Sequence, residues 1–257
     1  MGKAFDAVKE KDRIVNWIRQ WFENNGPRAG AVIGISGGKD STIAAAILCE
    51  ALGPERVYGV LMPDGEQADI ADSKKVCEFL KINASIINIK SATDGFKDSF
   101  LSATDLNGNA IKRELGTDAK INTPPRIRMA TLYAVAQSLP CGGRVINTCN
   151  RSEDYIGYST KYGDAAGDVS LFQNYTVREV RAIGEVLGVP HELIYKTPSD
   201  GLCGLSDEDK IGFTYDMLDD YILEGVCGDE EIKAKIDRMH VMNLHKLRLM
   251  ETVERDD

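Results

Sequence analysis

Six consecutive residues, Ser36-Gly37-Gly38-Lys39-Asp40-Ser41, hold the densest chemistry in the chain. Two adjacent glycines let a backbone turn tightly and approach an anion closely. The segment Thr42 to Leu52 is rich in Ala, Ile and Leu and reads as a helix. The loop therefore ends at a helix N-terminus, where free N–H groups and the positive end of a dipole favour negative charge. Ser36 and Ser41 add hydroxyl donors. This is the composition of a phosphate cradle. It is not a Walker A loop, because the required early glycine is missing and Asp40, not Ser or Thr, follows the lysine; nor is it G-x-G-x-x-G. Asp40 is informative in its own right. A carboxylate beside a phosphate makes sense when a divalent cation lies between them, and hard oxygen donors suit Mg²⁺.

Rigid elements must hold such a loop. Ala31 to Ile35, just before it, is a short apolar run of buried-strand type. Val57–Leu61, Ser85–Ile89 and Arg144–Asn147 predict three further strands. Helices are predicted over Lys3–Asn24, Asp69–Leu80, Thr123–Leu139 and Thr176–Leu187. The first carries Phe5, Val8, Val15, Ile18 and Phe22 at near-helical spacing. The third has Pro124 and Pro125 placed in its first turn, where proline is tolerated. From Asp207 onward the chain reads as helical, with Phe213, Leu218 and Ile222 as apolar anchors, a break at Gly225–Gly228 and a last helix to Met250. Asp105–Ile121, with Asn107-Gly108-Asn109, is expected to be a mobile loop. Strand and helix alternating with short links predict an α/β fold, an open parallel sheet with helices on both faces. A single domain is expected: an N-terminal helix (3–24), an α/β core (30–200) and a helical C-terminal part (207–250). Ligands of such sheets bind beyond the carboxyl ends of the strands, where the glycine loop sits.

Composition narrows the function. The chain has 257 residues, 43% hydrophobic and 28% charged, which is globular rather than disordered. The net charge of -9 opposes a nucleic-acid partner, which needs a basic footprint. None of the six cysteines forms a C-x-x-C pair, so reduced thiols are expected rather than a zinc ribbon or redox motif. The three histidines lack metal-ligand spacing, and no zinc is expected. The N-terminus has no apolar leader, and the longest apolar run, Ile43–Cys49, is far shorter than a membrane span. A cytoplasmic protein with no membrane partner is the expectation.

Ser36–Ser41 resembles the S-G-G-x-D-S loop of the N-type ATP pyrophosphatases, which cleave ATP between its α- and β-phosphates to adenylate a substrate oxygen. Asn147 to Asp164, above all Thr160-Lys161-Tyr162-Gly163-Asp164, followed by Gly167-Asp168, resembles the ammonia-dependent NAD synthetase family within that group. Tyr195–Leu202, Ser206–Asp209, Tyr215–Asp219 and His245-Lys246 are similar to the same family, so the resemblance runs from Gly34 to Lys246. It implies an adenine-nucleotide alpha-hydrolase-like, Rossmann-like sheet. It also implies ATP-dependent amidation of deamido-NAD by ammonia, giving NAD, AMP and pyrophosphate through an adenylated carboxylate. Asp40 and Glu153 match the family's Mg²⁺ ligands. Gly34, Ile35, Ser36, Gly37, Gly38, Lys39, Asp40, Ser41, Thr148 and Ser199 match ATP contacts. Arg128, Lys161, Asp168, His245 and Lys246 match deamido-NAD contacts, with Arg126 a close competitor of Arg128. Asp164 resembles the residue that handles ammonia.

One departure stands out. Relatives commonly carry a lysine where this chain has Val177, facing the ATP phosphates. Lys39 is expected to supply part of that charge, with Arg178 next to Val177. The family further implies a homodimer with deamido-NAD across the subunit boundary. About 30 residues precede the loop, too few for a glutamine-hydrolysing domain, so free ammonia is expected. Two competing readings are weaker. An RNA-directed sister enzyme is opposed by the acidic charge. A nucleotide sensor would have no use for Asp40 and Glu153 together. Loops 105–121 and 199–209 are expected to order on binding, because an acyl-adenylate needs shielding from water.

Overall fold

The structure, a computed structural model, describes residues 5–67, 70–196 and 206–248, together with 250, 252, 253 and 255. Strand β1 (Gly30–Gly34) is followed by α2 (Lys39–Leu52), and β2 (Val57–Leu61) by α3 (Ile70–Leu80). Then come β3 (Asn83–Ile86), α4 (Lys90–Leu101), α5 (Thr117–Ser138) and β4 (Gly143–Asn150). Helix α1 (Ala7–Asn25) precedes them all, opened by Asp6, whose side chain accepts from the Lys9 N–H. After β4 come α6 (Arg151–Ile156), β5 (Val169–Phe172), α7 (Val177–Val186) and α8 (His191–Ile194). Helices α9 (Asp207–Ile211), α10 (Tyr215–Glu224) and α11 (Glu230–Leu247) form the C-terminal part.

The sheet order is β3-β2-β1-β4-β5, and every pairing is parallel. The chain winds outward from β1 in one direction, then crosses back to place β4 on the other side of it. The loops after β1 and β4 therefore diverge at this switch point and leave a crevice between them. Side-chain alternation supplies both faces of the sheet with apolar residues. Ala31 and Ile33 of β1 point into a core shared with α1, α2 and α7. Val32, between them, points to the opposite face, into a cluster with Met129, Leu132 and Ala136 of α5. A third apolar cluster joins Ile156 and Val177 to Phe213, Tyr215, Leu218 and Ile236 of the C-terminal helices. Phe213 and Leu218 thus anchor as expected, and Ile222 packs at the cluster's margin.

Several boundaries differ from expectation. The third strand is Asn83–Ile86 rather than 85–89, because pairing of Tyr58 with Asn83 through Leu61 with Ile86 sets its register. All four of its residues are exposed, so burial leaves no pattern to read. Strand β5 and helices α4 and α6 were not foreseen; each is short or, for α4, has no buried residue among those described. Helix α5 starts at Thr117, which places Pro124 and Pro125 inside it and turns residues 117–121 from expected loop into helix. The rest of that stretch is tied by Asp105, which accepts from the backbone N–H groups of Asn107 and Asn109 at 2.9 and 2.8 Å.

Candidate active site

The chain leaves β1 and turns at Gly37, whose φ of +79° favours glycine. A Cβ there would lie 2.9 Å from the Ser73 backbone nitrogen, so the loop packs directly on the start of α3. The hydroxyls of Ser36 and Ser41 are 3.1 Å apart. Those of Ser41 and Thr42 donate to the Gly38 carbonyl at 3.2 and 2.7 Å. Gly38 caps α2 without a side chain, so no cap side chain competes for the first-turn N–H groups. An anion is the natural partner for that end. Residues 34–41 thus run from a strand end through a left-handed glycine into a helix start.

Asn150 brings the two predicted carboxylates together. It is the last residue of β4 and the N-cap of α6, and it is fully buried. Its Oδ1 accepts from the N–H groups of Ser152 and Glu153 at 3.0 Å each. In return Glu153 accepts from the Asn150 N–H at 3.3 Å, a reciprocal capping box. The Nδ2 of the same Asn150 donates to Asp40 Oδ1 at 3.2 Å. Asp40, in the first turn of α2, and Glu153, in the first turn of α6, are thus joined through Asn150 across the switch point. Burial first, and then the Asp40 carboxylate, push the Glu153 pKa well up; Lys39 opposes them. The Lys39 ammonium is 3% exposed and sits 2.8 Å from Asp40 Oδ2. Burial works to lower its pKa, but Asp40 and Glu153 outweigh burial and the net change is upward.

Tyr215 of α10 closes this cluster from the C-terminal side. Lys39 Nζ lies over its ring, 5.6 Å from the centroid. The Tyr215 hydroxyl is buried and makes no hydrogen bond among the described residues. Burial, followed by Glu153, Asp207 and Asp40, pushes its pKa up. The position expected to lack a lysine, Val177, is fully buried in the C-terminal apolar cluster. Arg178 turns away from the loop and pairs with Asp220 at 2.7 Å. Asp219, fully buried, accepts from the Ser152 hydroxyl and from the Arg178 backbone N–H, which ties α6, α7 and α10 together. Its pKa is raised by burial, against the Ser152 bond.

A second group lies along β4 and β5. A polar cavity of about 260 Å³ is lined by residues that include Asn147, Asp154, Asp168 and Lys246. Asp168 accepts from the Val145 N–H at 2.7 Å and from the Tyr133 hydroxyl at 3.2 Å. Lys246 reaches the carbonyls of Gly157 and Ser159 at 2.7 and 3.0 Å. Burial lowers its pKa, while Asp164 pulls the other way. Asp164 is reached by solvent yet walled by protein, as in a cleft; its carboxylate accepts from the Thr160 N–H at 2.9 Å. Burial raises its pKa against that bond. Arg128 is partly buried and donates to the Met62 carbonyl at 3.0 Å. Burial lowers its pKa, with Asp64 and Asp164 opposing. Arg126 is exposed and donates to the Lys161 carbonyl at 3.2 Å.

The Lys161 ammonium is held by the His245 carbonyl at 2.6 Å, and the His245 ring is exposed beside the Met242 carbonyl. Thr148 is partly exposed on β4. Ser199 lies outside the described residues, as does most of the 199–209 segment. Sequence reasoning missed Asn150, Ser152 and Asp219. The N-x-x-E spacing of Asn150 and Glu153 was a readable capping signal. Nothing local announces that Asp219 folds back onto Ser152, 67 residues earlier.

A nucleotide-type α/β sheet with an anion cradle and two carboxylates at its switch point defines the class. The NAD synthase family model matches residues 10–256, and the chain belongs to that family. It is 40% identical over 234 residues to the NH(3)-dependent NAD(+) synthetase of Pyrococcus horikoshii, covering 90% of this chain and 84% of that one. With the corresponding enzyme of Thermococcus kodakarensis it shares 39% identity over 86% of this chain and 82% of that one. Among solved structures, an NMN synthetase from Francisella tularensis matches with a TM-score of 0.85 at 33% identity, covering 98% of this chain and 100% of that one. The NAD+ synthetase of Burkholderia pseudomallei matches with a TM-score of 0.75 at 28% identity, over 95% and 91% of the two chains. The chain is therefore an enzyme, a ligase that forms a C–N bond in NAD biosynthesis and binds ATP.

Proposed function

We propose that the chain amidates deamido-NAD with free ammonia at the expense of ATP, through an adenylated nicotinate carboxylate, and releases NAD, AMP and pyrophosphate. The observation that carries this reading is the Asn150-held approach of Asp40 and Glu153 beside an anion cradle. The Asp40 carboxylate makes Glu153 harder to ionise, so the two are stable as a charged pair only with cations between them. Lys39 supplies one cation. The donor set is hard, acidic and short of a third protein ligand: among the described residues no cluster of three or more His, Cys, Asp or Glu could hold a metal alone. That fits Mg²⁺, which takes one or two carboxylates and completes its shell with phosphate oxygens and water. The unpaired Tyr215 hydroxyl beside the same carboxylates suits a hydrated ion too. Asp40 and Glu153 would hold the ion, which when bound neutralises phosphate charge.

The remaining residues bind and orient. Residues 34–41 receive the ATP phosphates through backbone N–H groups and the Ser36 and Ser41 hydroxyls, with Thr148 and Ser199 on the same nucleotide. Arg128, Lys161, Asp168, His245 and Lys246 bind the dinucleotide, cations toward its pyrophosphate and carboxylate, and Asp168 toward a ribose hydroxyl. Asp164, with a raised pKa in a walled cleft, is placed to hold ammonium and take a proton as the amine attacks. The NH(3)-dependent relatives support ammonia as donor. The whole chain works as one domain in a cytoplasmic homodimer. In support, the outer edge of β3 and helix α4 lack cover: Ile86, Phe96 and Leu101 are all exposed.

A second reading has one specific observation in its favour. The Francisella tularensis structure, with a TM-score of 0.85, is named for NMN rather than NAD, which makes nicotinate mononucleotide the competing substrate. Purified enzyme with Mg²⁺, ATP and ammonium, offered each nucleotide separately, decides between them. NAD and pyrophosphate formed in preference from deamido-NAD support the proposal. Preference for the mononucleotide shifts the substrate, and product from neither sinks both readings.

A further inference from the structure

Arg181 is a cation near the phosphate loop that has no counter-ion among the described residues. It lies on α7, one turn after Val177 and just under one turn before Gly184. At Gly184 helix α7 rides close on α2: a Cβ there would meet the Ile43 side chain at 2.7 and 2.8 Å. Ile43 lies one turn after Lys39. Both helices start at the carboxyl edge of the sheet, so the turn before Gly184 faces the turn before Ile43. That turn of α2 carries the loop. Arg181 and Lys39 thus lie near enough for their charges to interact.

The guanidinium is held by an aromatic face. Its central carbon lies 5.5 Å from the centroid of the Tyr195 ring. That ring is fixed in turn: its hydroxyl donates to Glu185 Oε1 at 2.7 Å, and it stacks on His191 with centroids 4.4 Å apart. Arg181 Nε is buried and makes no hydrogen bond, and among the described residues no carboxylate forms an ion pair with the guanidinium. Arg13 and Arg178, in contrast, are paired with Glu10 and Asp220. Two neighbouring cations, Lys39 and Arg181, one with an idle planar donor fork, make a site that an anion of high charge would relieve.

We propose that Arg181 binds the β- and γ-phosphate oxygens of ATP and holds the pyrophosphate that leaves. This rests on the ATP-using reading above. The test is calorimetric binding of ATP, inorganic pyrophosphate and AMP to the full chain in Mg²⁺ buffer, for the wild type, Arg181→Gln and Arg181→Lys. Losing a charged bidentate donor is expected to weaken ATP and pyrophosphate about tenfold or more. AMP, which lacks those phosphates, should bind as before. Arg181→Lys should recover part of the loss, and the KM for ATP should rise while that for the nicotinate nucleotide stays constant. Unchanged ATP and pyrophosphate affinity, or equal weakening of AMP, overturns the assignment. Should Arg181→Gln fail to fold, Arg181→Lys alone must weaken pyrophosphate; wild-type affinity there overturns it as well. A wild type that binds neither ATP nor pyrophosphate would instead refute the ATP-using reading.

Discussion

Asn150 shows how one small residue organises chemistry. It caps a helix, accepts from its first N–H groups and donates to the acid of a different loop. Asp154, four residues on, shows what the same crowding does to an acid. Burial, and then Asp164, raise its pKa from 3.8 to about 6. The folded state thus binds this proton more tightly than the unfolded one. The favourable contribution is complete below pH 3.8 and lost as pH rises through 6. Asp154→Asn should therefore raise the thermal midpoint above pH 6, by at most about 3 kcal/mol in stability, with no gain near pH 3. Urea unfolding at the two pH values checks it, and a gain of equal size at both would refute the shift. At this scale the loop 36–41 was fully legible, because glycine, serine and aspartate carry their chemistry in their identity. Tyr215 and Arg181 were not, because an unpaired group is defined by neighbours distant in sequence.

Elements position these residues, and their contacts can be tested. Gly184 lets α7 lie against Ile43 of α2. Gly184→Val forces that contact apart and should destabilise the fold by about 1–3 kcal/mol. It should also weaken ATP binding, since it moves Arg181 from the loop; a thermal midpoint within 1 °C of wild type, roughly, would show the contact to be soft. Asp219 ties the starts of α6 and α7 to α10. Asp219→Ala leaves a buried hydroxyl and N–H unpaired, at about 1–3 kcal/mol for each. Chemical denaturation measures the loss. Lengths were read less well than existence. Strands β1, β2 and β4 and helices α1, α2, α3 and α7 were legible because each buries a patterned face. Strand β5 was missed at four residues, and β3 was shifted because pairing with β2, rather than its own exposed residues, sets where it starts.

For the whole molecule, the proposed dimer is testable at the edge of the sheet. The sheet ends in a strand with all four residues exposed, next to a helix that buries none. Unprotected edges of this kind invite pairing with another chain. In the proposed homodimer, a second copy covering α4 would bury Phe96 and Leu101, which are exposed on the single chain. Sedimentation equilibrium should give twice the 28.2 kDa chain mass, and Phe96→Asp with Leu101→Lys should give the single-chain mass. A monomeric wild type would dispose of the interface. Should the dimer form, the double variant is also expected to lose turnover, if the dinucleotide lies across the boundary.

What the sequence by itself determined were the alternation that makes a parallel α/β sheet, the glycine turn between its first strand and helix, and the net acidic charge. These depend on residue type and spacing over a few turns of chain. Only the tertiary structure decided that Lys39 buries its ammonium on Asp40, that Val177 belongs to an apolar cluster and that Arg181 lies over the Tyr195 ring. It also tied Arg128 to the Met62 carbonyl and Arg126 to the Lys161 carbonyl. Each outcome depends on which side of a helix meets another helix in space. Local spacing cannot carry that information, because packing is set by partners more than a hundred residues away, such as Asp40 and Asn150.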